Sequence, residues 1–470
     1  MKELDADEFR RLGHIAVELA AEHMFGMRER SVYTPMIGAE RNAIQDANLP
    51  DGGLPPSKIL EIIRTRILPH PMGNGHPRFF GWAGSAPSSM GVLTELIAAA
   101  MNPIGAGDHR SSDHAAKYVE RCSVRWLMDL IGFPVESSRA ALVSEGALAS
   151  LLCLDAAKRA MLARSVGDAG EVDPQRLADA KLVLYVSELA PESLRAAAHL
   201  LGVSAERVRV VASTELRLEP RALHDAIAQD QAEGLTPFCV CASAGSLDMG
   251  LIDRLPQLAQ ICAEQSIWFH VDGALGGLAA LDPTLSELDA LALADSVVLE
   301  PQRWLGVPVE CAVACVRDAS WLEHTDAYSL LRHAQGSSAL KLWSTLLHLG
   351  RDGIRARIEL HRALARALAA RIEREPLLEL LVQPELAIVC FRYVGIAEPR
   401  DERLDVFNRA LASQLQAEGE VFVTGVEVAG RYGLHASIMH HATRATDLSL
   451  LVQVILNAAA RLQESSMRLP

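Results

Sequence analysis

The sequence predicts an α/β protein built on a mostly parallel sheet, opened by a helical arm and closed by a small α+β domain. Three observations predict it. From about residue 85, short continuous apolar runs alternate with Ala/Leu-rich segments of helical character, the pattern of parallel strands covered on both faces. From about residue 353 the order changes to helix, strand, helix, two strands, helix. The residues before 85 carry helical spacing but too few core positions to fold alone.

The elements follow in chain order. Phe9, Leu12, Ile15, Leu19 and Met24 recur with helical spacing between Glu8 and Met27. A Pro/Gly-rich loop separates this helix from a second, Ile59 to Leu68, which Pro69 ends. The run at 141–143 reads as a short strand, and Gly146 opens the helix after it. Strands are expected at 181–187, 237–245, within 267–277, 296–301 and 311–317, with helices at 192–202 and after 251. A helix from Ile354 to Glu375, a strand at 386–394, a helix at 402–418, strands around 421–430 and 432–439, and a closing helix from Thr443 to Leu462 complete the chain. The expected organisation is an arm at 1–84, a large α/β domain at 85–352 and a small domain at 353–470.

Composition narrows the function. The 470 residues are 50% apolar and 22% charged, which excludes global disorder. The net charge of −14 argues against nucleic acid or an anionic membrane as partner. No run approaches 18 apolar residues, so no spanning helix is expected, and the acidic start is not a secretory signal. The eight cysteines include no CxxC pair and sit mostly in apolar runs, as small buried hydrophobes of a cytoplasmic protein do. Cys239 and Cys241 fall on one face of a strand.

Ligands of parallel sheets bind beyond the carboxyl ends of the strands. Three such ends carry polar residues here: the turn Ser144-Glu145-Gly146-Ala147, whose helix N-terminus suits an anion; Asp272, at the end of a buried run; and Arg303, just past another. A buried carboxylate needs a partner, so Asp272 reads either as a structural pair or as a functional group. Asp108, His109, Asp113 and His114, and the pair His440-His441, lack any recognised metal spacing, and no metal is expected.

The runs HPRFFGW (76–82), ASAGSLDMGLID (242–253), WFHVDGALGG (268–277), SVVLEPQRWLGVP (296–308) and ALKLW (339–343), in this order and spacing, together with the helix around Tyr118 to Trp126, resemble the group II pyridoxal-phosphate-dependent amino-acid decarboxylases. The resemblance covers nearly the whole chain. It implies a fold-type-I transferase-like fold with a seven-stranded-type sheet, and a homodimer clasped by the N-terminal arm with active sites at the interface. In that family a Schiff-base lysine binds the cofactor aldehyde and an Asp protonates its pyridine nitrogen, making the ring an electron sink.

Asp272 matches that Asp, and Ser246 matches a hydroxyl residue near the cofactor. The other cofactor positions depart. Gln302-Arg303 stands where the family has His-Lys. A guanidinium stays protonated and is a poor nucleophile, so Arg303 forms no Schiff base. The six lysines, at positions 2, 58, 117, 158, 181 and 341, offer no substitute nearby. Glu145 enters the phosphate turn, Pro191 replaces the stacking His, Glu300 replaces Asp or Asn, and Ala334-Gln335-Gly336 replaces a Ser-Arg-Arg run. The resemblance with these losses implies a pseudoenzyme with no cofactor expected, in which Arg303 pairs with Asp272, Glu145 or Glu300 to fill the vacated site. Two alternatives stand beside it: an amino-acid enzyme holding pyridoxal or pyridoxamine phosphate non-covalently, and a repurposed cofactor-free or metal-dependent site. A heteromer with an active paralogue and a small-molecule ligand remain open as partners.

Overall fold

The computed structural model describes residues 3–102, 114–166, 181–323, 325, 327, 328, 338–396 and 400–467. Where sequence suggests three domains, the chain divides into two compact units. The larger comprises Ala83–Arg366 and Gln383–Ile388; the smaller comprises Met1–Trp82, Ala367–Val382 and Val389–Pro470.

The larger unit is organised by seven strands: β1 (Arg139–Val143), β2 (Leu182–Val186), β3 (Val208–Val210), β4 (Thr236–Ser243), β5 (Trp268–Asp272), β6 (Ser296–Leu299) and β7 (Ala312–Val316). Their order across the sheet is β1-β7-β6-β5-β4-β2-β3. β2, β3, β4, β5 and β6 pair in parallel, while β7 runs antiparallel to both neighbours, β1 and β6. The fold class is the expected one. β1, β2, β6 and β7 are almost wholly buried, which is why they read as continuous apolar runs rather than alternating ones. Cys239 and Cys241 do share a face, their Sγ atoms 3.9 Å apart.

Register fixes what meets at the carboxyl edge. Ser243 of β4 pairs with Asp272 of β5. Val313 of β7 pairs with Leu142 of β1 on one side and Leu299 of β6 on the other. The residues just beyond β1 and β6 therefore leave the sheet together: Ser144 to Gly146 from one strand, Glu300 to Arg303 from the other. The helix Gly146–Val166 then packs Leu152, Cys153, Ala156 and Ala157 onto the sheet face. At roughly 1.5–3 kcal/mol per fully buried large apolar side chain, this face anchors the turn that precedes it.

The helix expected from Ile354 runs instead from Ser338 to Ile372. Gly350 interrupts it with a left-handed φ of 62°, so two helices meet just before the expected start.

The smaller unit holds a four-stranded sheet of β8 (Leu378–Val382), β9 (Ile388–Tyr393), β10 (Thr424–Val428) and β11 (Arg431–Ser437), in the order β8-β9-β11-β10. The helix Asp401–Glu418 packs on β11 and on the closing helix Ala445–Met467. The first helix, Ala6–Phe25, starts at Asp5, whose carboxylate accepts from the amides of Asp7 and Glu8 at 3.1 and 2.9 Å. Within HPRFFGW, Phe79 stacks on Phe422 with ring centroids 4.7 Å apart, and Trp82 meets both rings edge-on.

Where the apolar runs predict no spanning helix, one segment among the described residues, Ala445–Glu464, is long and apolar enough by composition to cross a membrane. Its Leu451, Ile455, Ala458 and Ala459 are buried within the smaller unit.

Candidate cofactor site

The site forms where β1, β5 and β6 end. After β6, Glu300 turns the chain into one helical turn, Pro301–Trp304. Proline at its first position presets φ and gives up an amide that needs no partner. That turn throws Glu300 and Arg303 onto one side, three residues apart. Arg303 Nη2 lies 2.8 Å from Glu300 Oε2, both side chains largely buried. Arg303 Nη1 also donates to the Ala83 carbonyl, and Gln302 Nε2 donates to Glu300 Oε2 at 3.1 Å. Trp304 is buried beside them, its indole N–H given to the Leu275 carbonyl.

The Glu300 carboxylate reaches the first residue of the Gly146–Val166 helix. A Cβ built on Gly146 would overlap Glu300 Oε1 and lie 3.0 Å from its carboxyl carbon. Gly146 is thus required by Glu300, and a carboxylate stands where the helix N-terminus favours negative charge. Glu145, expected to bring a negative charge to this turn, is exposed instead. Its backbone carbonyl accepts from Leu148 and Ala149 as the helix begins, which directs the side chain outward. Ser144 is partly exposed and Ala147 exposed in the same turn.

Asp272 ends β5. Its Oδ1 accepts from the Ala274 amide at 3.0 Å, and the side chain retains some accessible surface. Burial raises its pKa above the usual aspartate range. The Ala274 amide opposes that, Glu300 adds to it, and Arg303 opposes it. Those two charges place Asp272 within electrostatic reach of the pair, but the pairing of Arg303 falls on Glu300. Behind Asp272, His270 Nδ1 and Trp268 Nε1 both meet Ser296 Oγ at 2.8 Å, and burial pushes the His270 pKa down to about 4.

The remaining expected residues are elsewhere engaged. Ser246 is buried and closes a turn with Leu251, Oγ accepting from the Leu251 amide at 3.3 Å. Pro191 occupies the N-cap position of the helix Glu192–Leu200 with no side-chain hydrogen bond, and it has no aromatic ring to stack. Asp108, His109 and Asp113, and Ala334, Gln335 and Gly336, lie outside the described residues. Among the described residues no cluster could hold a metal. Of the lysines, Lys341 is 2% exposed and tied to Glu95 at 2.6 Å and the Val309 carbonyl at 2.7 Å. Lys158 donates to the Leu201 carbonyl, and Lys58 pairs with Glu61.

Residues 39–394 match the family described as "Pyridoxal-dependent decarboxylase conserved domain". The chain belongs to this family. It is 25% identical to an aromatic-L-amino-acid decarboxylase of Bacillus atrophaeus, covering 100% of this chain and 98% of that one. It is 28% identical to a tyrosine decarboxylase of Oryza sativa subsp. japonica, over 93% and 87% of the two chains. In fold it matches the crystal structure of Oryza sativa TDC with PLP and tryptamine, with TM-score 0.89, 23% identity, and 98% and 99% of the chains covered.

Family membership overturns the expectation that no cofactor belongs here, because the family is defined by its use of pyridoxal. Asp272 fits the pyridine nitrogen: a buried strand-end carboxylate with one oxygen held by an amide and some surface left open. The helix N-terminus at Gly146 would suit an anion, but the Glu300 carboxylate lies against it, so that end does not fit a phosphate as it stands. When bound, the group would supply an electron sink beside Asp272. Arg303 does not fit covalent attachment.

Proposed function

We propose that this member of the pyridoxal-dependent decarboxylase family has lost covalent cofactor attachment and does not run amino-acid decarboxylation by the lysine-dependent route. The observation supporting it is Arg303: always charged, paired with Glu300 at 2.8 Å, with no lysine among the described residues at the carboxyl ends of the strands to replace it. Pyridoxal phosphate or pyridoxamine phosphate would be held non-covalently, with Asp272 facing the ring nitrogen. The names of the relatives set the ligands to try first: aromatic amino acids and the amines derived from them.

The test is borohydride reduction of the protein incubated with pyridoxal phosphate, followed by peptide mass mapping, with Arg303→Lys in parallel. The wild type should yield no modified peptide from the strand ends and no decarboxylation of tyrosine or tryptophan. A stoichiometrically captured lysine, or turnover at a rate the variant does not exceed, would overturn the reading.

The same reading includes a second copy of the chain as partner. Leu93, Leu96, Ile97 and Met101 are 46–55% exposed on one face of the helix Ser89–Met101, a run of apolar side chains of the kind found at protein–protein contacts. A cytoplasmic location accords with eight cysteines, seven of them buried, that form no disulfide among the described residues.

A further inference from the structure

The Glu300 carboxylate lies against the helix end that an anionic ligand would use. Its carboxylate lies against Gly146, the first residue of the Gly146–Val166 helix, and is fixed there from the opposite side by the Arg303 guanidinium at 2.8 Å and the Gln302 amide at 3.1 Å. It is 8% exposed, so it is a built-in part of the site and not a solvated side chain passing by. Asp272, the other polar contact, is no partner of that ion pair; its Oδ1 is held by the Ala274 amide. The two ends of the site therefore differ, since the Gly146 end already holds a negative group with its counter-charge.

We infer that Glu300 is a specificity-determining residue that acts as a tethered anion. It competes with the phosphate of any ligand and sets this site against phosphate-bearing ligands relative to their phosphate-free counterparts. A dianion entering beside Glu300 meets like charge in a weakly screened place, and must displace it from Arg303 to use the helix end. The inference rests on the non-covalent reading above.

Equilibrium binding of pyridoxal phosphate and of pyridoxal, followed by calorimetry or tryptophan quenching, tests it on the full-length protein. The wild type should bind pyridoxal at least as tightly as pyridoxal phosphate. Glu300→Gln, which keeps the shape and an acceptor for Arg303, should tighten pyridoxal phosphate by about tenfold or more and move pyridoxal by no more than about twofold. Glu300→Asp, with the charge kept but drawn back from Gly146, should fall between and covers the case in which the Gln variant folds poorly. If neither variant improves phosphate binding over the wild type, including the case in which none binds, or if both ligands improve equally, Glu300 is not the determinant. Borohydride capture reports separately: a captured lysine defeats the non-covalent reading without altering the affinity ratio between Glu300 variants.

Discussion

Glu300 and Arg303 face each other across a single helical turn, 2.8 Å apart, with side chains 9% and 17% exposed. An ion pair this buried contributes little over an apolar replacement but is costly to break on one side. Arg303→Met should lower unfolding free energy by about 3–5 kcal/mol, because Glu300 is left charged and without its guanidinium. The double variant Arg303→Met/Glu300→Leu should recover most of that loss. Urea midpoints for the three proteins check this. Additive losses in the double variant would mean that the two side chains are stabilised independently.

Gly146 has no room for a side chain because Glu300 is there. Gly146→Ala should destabilise by about 1–3 kcal/mol, the usual consequence of overpacking a closed site. Outside this contact alanine favours a helix by about 1 kcal/mol over glycine, so the sign itself is informative. Paired with Glu300→Ala, the same substitution should become neutral or stabilising. Thermal unfolding of both variants decides it, and a destabilised double variant would place the conflict with some other neighbour.

The sheet was legible wherever burial on both faces leaves an unbroken apolar run, as in Leu182–Val186 or Ala312–Val316. It was not legible at Val208–Val210, an edge strand with one exposed and two half-buried residues. Leu378–Val382 follows a long helix and shares its leucine content, so nothing in its composition marks the change. The reversed direction of Ala312–Val316 has no sequence signal, since an apolar strand reads the same both ways. In the site, Asp272 and Arg303 stood out because each puts a charge at a strand end. Which glutamate turns inward did not, because side-chain direction at Glu145 is set by where the helix starts. The three-residue spacing of Glu300 and Arg303 around Pro301 was the one available clue.

Buried histidines make stability fall on the acid side. His270, His76 and His440 have pKa values pushed down to about 4, 4 and 3, in each case chiefly by burial. Above an unfolded value of about 6.5, both states are neutral and nothing is lost. As pH falls below that, the unfolded chain binds protons that the folded one refuses, so stability drops until the folded values are reached, by up to about 1.4 kcal/mol per pH unit for each histidine. Glu120, Asp253, Asp272 and Asp295 are raised by burial and act in the opposite direction. The histidine contribution is therefore read as a difference: His270→Leu should flatten the slope of stability against pH between 6.5 and about 4. An unchanged slope would mean that His270 titrates normally in the folded protein.

The helix Ser89–Met101 buries Gly91, Thr94 and Ala98 on one side and turns Leu93, Leu96, Ile97 and Met101 outward. Ser88 caps it, its Oγ accepting from the Gly91 amide at 3.0 Å, and Thr94 Oγ1 meets Ser344 Oγ at 2.7 Å. The inner side is thus fixed by small and hydroxyl residues, and the outer side has no such explanation within one chain. Covered by a second copy, those four side chains would be desolvated, and charge placed among them would oppose assembly. Leu96→Glu/Ile97→Glu should sediment as a folded monomer where the wild type sediments as a dimer, with far-UV circular dichroism unchanged. A wild type that is itself monomeric at micromolar concentration, or a variant that stays dimeric, would remove this helix from the interface.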